Sequence, residues 1–228
     1  MSPRSQTNLQ KAISTYSQLV YDKGWVANHD GNLAARLSDN KRFMVTPTAE
    51  SKRNIAPHDT LVVDIEGKRL SGRRRLFSEW HLHATCFRAR PDVNAVIHAH
   101  PICATALGLT GKSLGVPALP EMIVSMGANI PTLSYALPKS AAQEAELAFA
   151  LTHGDADGVL LPGNGVIAVG VDLEQAFLRL ELIEHYAQIL NAAQSFGHIQ
   201  PIPAEDLKHL LAKRTAAGLG LAARSSLR

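Results

Sequence analysis

The stretch Val93-Asn94-Ala95-Val96-Ile97-His98-Ala99-His100 is short, rich in β-branched residues and stopped by Pro101. That composition and length predict a buried strand rather than a helix. Residues i and i+2 of a strand point to one face, about 6 to 7 Å apart along the backbone, so His98 and His100 project together. Pro101 then opens a helix, since proline is tolerated at a first helical position. The imidazole pair therefore sits at the C-terminal end of a strand, where α/β sheets favour ligand sites. Two such nitrogens suit a metal ion, which takes histidine donors at about 2.0 to 2.1 Å. They equally suit two half-buried histidines hydrogen-bonded to neighbours, and the HxH pair alone does not choose.

Working outward, Ser78 reads as the N-cap of a helix that ends before Pro91. Glu79 then lies in the first turn. There it either complements the helix dipole or reaches the histidines from a second element, as metal ligand or general base. His83, four residues on along the same helix face, either orients that carboxylate or fills space. Further upstream, Leu9, Ala12, Ile13, Tyr16, Leu19 and Val20 recur at helical spacing, predicting a helix over residues 8–23 closed by Gly24. Asp30-Gly31-Asn32 makes a turn into residues 33–36, and residues 42–46 and 60–65 read as strands. Downstream, residues 158–161 and 166–169 read as two strands around the turn Pro162-Gly163-Asn164-Gly165. Ser140 with Gln143, and Asp172 with Gln175, resemble capping boxes. The second opens the most periodic helix, with Leu173, Phe177, Leu180, Ile183, Ala187 and Leu190 on one face. Strands interleaved with helices predict an α/β sandwich, a sheet covered by helices. Residues 5–200 are expected to form one domain, followed over 201–228 by a C-terminal helix and a basic tail.

The 228 residues are 46% hydrophobic and 19% charged, an ordinary globular balance. A chain this long buries a core without staples, so a metal here serves chemistry rather than folding. Cys86 and Cys103 lack CxxC spacing and indicate neither a disulfide framework nor a cysteine zinc site. The net charge is +3, with short basic runs over residues 68–75 and 213–228 that read as solvated surface and a loose tail. The first run lies just before Glu79, placed to steer an anionic substrate. Neither carries the footprint of a nucleic-acid reader. The opening residues lack the apolar core of a signal peptide, and no apolar run reaches the roughly 18 residues of a membrane span. A cytoplasmic protein without nucleic-acid or membrane partners is the expectation.

Taken in order, several segments resemble the class II aldolase/adducin family, best known from L-fuculose-phosphate and L-ribulose-phosphate enzymes. They are Gly31-Asn32-Leu33 with Arg36, Thr46-Pro47-Thr48, Ser78-Glu79-Trp80 with His83, Arg90-Pro91-Asp92-Val93-Asn94-Ala95-Val96, His98-Ala99-His100, and the run from Gly165 to Gly170 before the long helix. The resemblance implies a three-layer α/β/α sandwich with a mostly antiparallel central sheet. It also implies a homotetramer with active sites at subunit boundaries. One divalent ion per chain is implied, zinc first, with manganese, cobalt or iron as alternatives. His98 and His100 inherit the metal, and Glu79 the role of a carboxylate that shuttles between metal and proton. Gly31, Asn32, Thr46, Thr48 and Ser78 inherit the cradle of the substrate phosphate. The implied reaction cleaves a carbon–carbon bond of a small hydroxy-carbonyl compound, a sugar phosphate, through a metal-stabilised enediolate. The carboxylate moves the hydroxyl proton. Decarboxylation of a keto or hydroxy-aromatic acid on the same fold is the nearest alternative, and a non-catalytic adducin-like binding domain represents another class.

The chain departs from that pattern in four places. The family's third metal histidine is Asn164, whose amide offers only a neutral carbonyl oxygen. Asn164 is expected beside the metal, bound weakly or through water, unless it serves only a positive φ in the tight turn. A serine of the phosphate loop is Phe77, and the glycine closing that loop is Ala49. A tyrosine lent across the subunit boundary is replaced near Leu119-Pro120-Glu121.

Overall fold

The computed structural model describes residues 4–225. Its strands are β1 (Asn32–Arg36), β2 (Arg42–Val45), β3 (Leu61–Asp64), β4 (Arg69–Ser71), β5 (Ala95–Ala99), β6 (Gly158–Leu160) and β7 (Val166–Gly170). They form one sheet in the order β4-β3-β2-β1-β5-β7-β6, and each neighbouring pair is antiparallel. The helices are α1 (Gln6–Asp22), α2 (Trp80–Ala89), α3 (Ile102–Leu109), α4 (Pro120–Met126), α5 (Ala141–His153), α6 (Leu173–Ala193), α7 (Ala204–Ala216) and α8 (Gly220–Ser225).

The strands are buried on both faces, so strict polar alternation is absent and the period-2 geometry sorts apolar residues between two cores. Leu33, Ala35, Ile97, Ala99 and Ala168 enter one core with Ile13, Phe177, Leu180 and Ile183, under α1, α3, α4 and α6. Ala34, Val96, Ile167 and Val169 enter the other with Trp80, Phe87, Leu147 and Leu151, under α2 and α5. The result is the expected three-layer α/β/α sandwich. His98 shares the parity of Val96 and so faces the α2 layer.

Of the two capping boxes read from the sequence, the N-cap half is present in each helix. Ser140 Oγ accepts from Gln143 N at 3.4 Å, and Asp172 Oδ1 accepts from Gln175 N at 2.8 Å. At α2 the expectation needs correcting: the N-cap is Glu79 rather than Ser78, with φ −89°, ψ 13° and no side-chain cap. Leu76 is bridged to Pro47, and Ser78 and Glu79 then form a turn ahead of Trp80, with the Glu79 side chain free of capping.

Of the two basic runs, the first is exposed throughout, as expected, while the second, over its described residues, is helical and tied down rather than loose. Within the first, Arg69–Ser71 pairs with Val62 and Val63 as the edge strand β4, and Arg74 bonds Glu50 at 2.7 Å and Asp59 at 3.2 Å. Within the second, Arg214 is only 1% exposed. It reaches Asp157 Oδ2 at 3.2 Å, Asp155 Oδ2 at 2.9 Å and the Ser125 carbonyl at 2.6 Å. Arg224 reaches Asp157 Oδ1 at 3.2 Å. Asp157 is itself buried and also receives Arg90 at 3.0 Å and Arg179 at 2.8 Å. A carboxylate removed from water needs such partners, and here they come from α6, α7, α8 and the end of α2. Among the described residues no helix is long and apolar enough to cross a membrane.

Candidate active site

The β1–β5 register sets Asn32 directly opposite His98, and both point toward the N-terminus of α2. There the Glu79 carboxylate lies 3.2 Å from His98 Nδ1 through Oε2. Asn32 Nδ2 donates to the same oxygen at 2.9 Å, and Asn164 Nδ2 donates to Oε1 at 2.8 Å. Burial works against the charge on Glu79, but His98, Asn164 and Asn32 outweigh it and hold the carboxyl well below the usual carboxylate range.

These contacts fix atoms that the sequence leaves ambiguous. An ionised carboxylate only accepts, so Asn32 must turn its NH₂ to Glu79 and its Oδ1 away. That Oδ1 meets His83 Nε2 at 2.5 Å, which makes Nε2 the protonated ring nitrogen. His83 is fully buried, stacked on Trp80 with an interplanar angle of 14° and packed on Phe77 at 5.0 Å between ring centroids. Burial, then His98, pushes its pKa down to about 3, so the ring stays neutral.

His98 follows the same logic. Its Nε2 lies 2.7 Å from the Asn164 carbonyl and donates to it, leaving the lone pair of a neutral ring on Nδ1. That atom is buried without an aligned hydrogen-bond partner while facing the Glu79 carboxylate. Two electron-rich atoms in such proximity require a positive charge between them. A proton on Nδ1 is one answer: burial opposes it, yet Glu79 raises the His98 pKa overall. A divalent cation is the other, and a ligating histidine ordinarily gives its second N–H to a backbone carbonyl in this way. The donor chemistry therefore fits a metal. Among the described residues, however, no three His, Cys, Asp or Glu side chains are gathered as a metal cluster. His100 has its ring centroid 5.2 Å from that of His98 but turns Nδ1 toward Asp30 at 3.4 Å. Burial and His98 lower its pKa, which keeps the ring neutral and able to ligate.

Asn164 sits between Gly163 and Gly165, which take φ of +73° and +72°. Asn164 itself is not in the positive-φ region, so the turn does not require asparagine for its backbone. Gly165 is required: a Cβ there would lie 2.2 Å from the Ala99 carbonyl and 2.5 Å from the His100 ring. This close approach of the turn to β5 is what brings Asn164 to Glu79.

The remaining expected residues flank the same place. Gly31, at φ +69°, leaves no room for a Cβ against Val26. Thr46 is buried, and its hydroxyl accepts from Leu33 N at 3.1 Å. Asn32 is likewise engaged, by Glu79 and His83, so neither side chain opens toward solvent. Thr48 is half-buried and Ser78 exposed. Ser78, Glu79, His81, Tyr135, Pro138 and Asn164 line a cavity of about 210 Å³. Phe77 turns into the core against Trp80, so it removes a hydroxyl without blocking the cavity. Ala49 keeps φ +59°, the left-handed conformation that glycine adopts freely. Two residues entered unannounced. Asp30, read only as a turn residue, meets His100. Lys52, which carries no motif, is buried beside the Gly31 and Ala49 loops.

The profile described as Class II Aldolase and Adducin N-terminal domain matches residues 11–191. The chain belongs to the class II aldolase/adducin family. Among its curated relatives is the L-fuculose phosphate aldolase of Escherichia coli strain K12, 31% identical over 193 residues and covering 83% of this chain and 86% of the relative. The 5-deoxy-D-ribulose 1-phosphate aldolase of Bacillus thuringiensis serovar kurstaki is 26% identical over 206 residues, covering 90% and 94%. A solved L-fuculose 1-phosphate aldolase superposes with a TM-score of 0.83 at 26% identity, covering 93% of this chain and 99% of its own. These class II aldolases are enzymes, and the solved one shares the fold described above.

Proposed function

We propose that this class II aldolase-type enzyme is a divalent-metal-dependent lyase that cleaves a carbon–carbon bond of a phosphorylated sugar. The observation that carries the reading is the Glu79 carboxylate, held ionised by His98 and by two asparagine amides, with His98 Nδ1 facing it at 3.2 Å. His98 and His100, with Glu79, are the residues that would hold the ion. When bound, it supplies charge stabilisation for the enediolate oxygen left by cleavage. Zinc suits the imidazole donors best, with manganese, cobalt and iron as alternatives.

The chain's own residues then act on the substrate hydroxyl. Glu79 accepts the hydroxyl proton; the O–H electron pair becomes a new carbonyl as the carbon–carbon bond breaks. The electron pair of that bond moves into the adjacent carbonyl, and the proton returns from Glu79 to carbon. Glu79 is too weak a base while His98 and both asparagines favour its charged form, because a base acts best with a pKa near the working pH. Substrate entry must loosen at least one of those bonds. Asn164 is the movable partner, since it lies on the turn that lines the cavity, while Asn32 is pinned by His83. Tyr135 and Leu137, near that cavity, are 71% and 70% exposed, which supports burial of this edge against another subunit in a homotetramer.

The test is cleavage of L-fuculose 1-phosphate and 5-deoxyribulose 1-phosphate by metal-reconstituted protein, with both carbonyl fragments detected. Activity should vanish with a chelator, and Glu79→Gln should lower turnover by about 10² to 10⁴-fold. If neither sugar phosphate is cleaved while a keto acid releases carbon dioxide, decarboxylation replaces this reading.

A further inference from the structure

We infer that the Lys52 ammonium is the cationic anchor of the substrate phosphate, a specificity-determining residue that binds the anion between the two loops whose His29 and Glu50 carbonyls it bridges. The inference deepens the lyase reading and rests on it for the identity of the substrate.

Lys52 opens the short 3₁₀ turn Lys52–Asn54 and is only 2% exposed. Its Nζ donates to the His29 carbonyl at 3.3 Å and to the Glu50 carbonyl at 3.2 Å. One carbonyl precedes Asp30-Gly31 and the other follows Thr48-Ala49, so the ammonium bridges the two loops that flank the expected cradle. Both contacts are long and neutral. An ammonium has three donors, and among the described residues these are the only two acceptors that meet it.

The nearest carboxylates are turned elsewhere. Glu50 pairs with Arg74 at 2.7 Å, and Asp30 accepts from Ala27 N at 2.5 Å while facing His100. Buried charges are ordinarily paired, because an unpaired one loses its hydration for nothing in return. Burial accordingly lowers the Lys52 pKa to about 8, against the pull of Asp30, Glu50 and Glu79. A phosphate between the loops supplies the missing counter-charge and accepts the third N–H. It also accounts for Phe77 and Ala49: a direct cation offsets the lost hydroxyl and the altered loop.

Thermal unfolding of the full chain, with inorganic phosphate as probe against chloride of equal ionic strength, tests this without any substrate. The parent's Tm should rise with phosphate, as should that of Lys208→Met, which removes an exposed lysine. Lys52→Met should lose the phosphate response and yet melt higher than the parent in chloride, because it removes a buried charge. On the sugar phosphate, KM of Lys52→Met should rise roughly 10- to 100-fold, the worth of one charged hydrogen bond, with kcat changed less. Lys52→Arg should recover part of the phosphate response. A parent without a phosphate response, or a Lys52→Met that keeps it, overturns the anchor even if cleavage is observed. A lysine-dependent response in a protein that cleaves no sugar phosphate leaves the anchor standing and removes the lyase reading. Lower stability of Lys52→Met in chloride, with the phosphate response retained, would identify a loop staple instead.

Discussion

A single proton on His83 orders the amides around the Glu79 carboxylate. With Nε2–H fixed on Asn32 Oδ1, the Asn32 amide cannot flip, and its NH₂ stays on Glu79. His83→Gln keeps a donor and should retain turnover within a few-fold. His83→Leu removes it, frees the amide to rotate and should lower kcat about 10 to 100-fold, as loss of an orienting partner typically does. The Glu79 pKa then rises, because one hydrogen bond to the charged form is lost. The acid limb of the pH–rate profile should accordingly move to higher pH in His83→Leu and stay in place in His83→Gln. An unmoved limb in both variants would reduce His83 to packing. The sequence exposes part of this arrangement. His98, His100 and Glu79 are legible because two residues apart on a strand, or the first residues of a helix, have a direction fixed by local geometry. The orientation of Asn32 is not, since it depends on Glu79 and His83, 47 and 51 residues away. Lys52 is silent for a related reason: a lone lysine in a loop ordinarily lies in water.

Among the elements, those with strong internal patterning were the legible ones. The face of α6 and the caps of α5 and α6 follow from spacing and from short-range donors. β4 does not, because three exposed residues at a sheet edge within a basic run carry no alternation to read. Nor does the start of α3 show its support. Pro101 caps it without a side-chain bond, and amides of its first turn that lack a helical partner are taken by Glu184 of α6, which accepts from Cys103 N at 3.1 Å and Ala104 N at 2.9 Å. A carboxylate at a helix N-terminus satisfies both the amides and the dipole. Since α3 follows His100 by one residue, this cap also steadies the end of β5. Glu184→Ala should cost about 1 to 3 kcal/mol, the penalty for orphaned buried amides, read from urea unfolding. Hydrogen exchange of the Cys103 and Ala104 amides should rise selectively. Unchanged exchange there would show that water or another group takes over the cap.

Across the whole molecule, Asp157 joins segments that the sheet alone does not hold. Arg90, Arg179, Arg214 and Arg224 all reach its two oxygens. Asp157→Asn keeps the shape but removes the charge on which these guanidiniums converge, and breaking a buried ion pair of this kind costs about 3 to 5 kcal/mol. The loss should appear in urea unfolding, with limited proteolysis cutting first between α6 and α7. Equal protease resistance in parent and variant would mean that apolar contacts alone seat the C-terminal helices. The arrangement also has a consequence for synthesis. As the chain leaves the ribosome, Arg90 precedes Asp157, Arg179 follows shortly after, and Arg214 and Arg224 arrive last. The sheet can therefore close around a carboxylate that already has two partners, with two places held open for helices not yet made. Domains generally assemble from the N-terminal side during translation, and here the order in which one aspartate collects its arginines would keep time with that assembly.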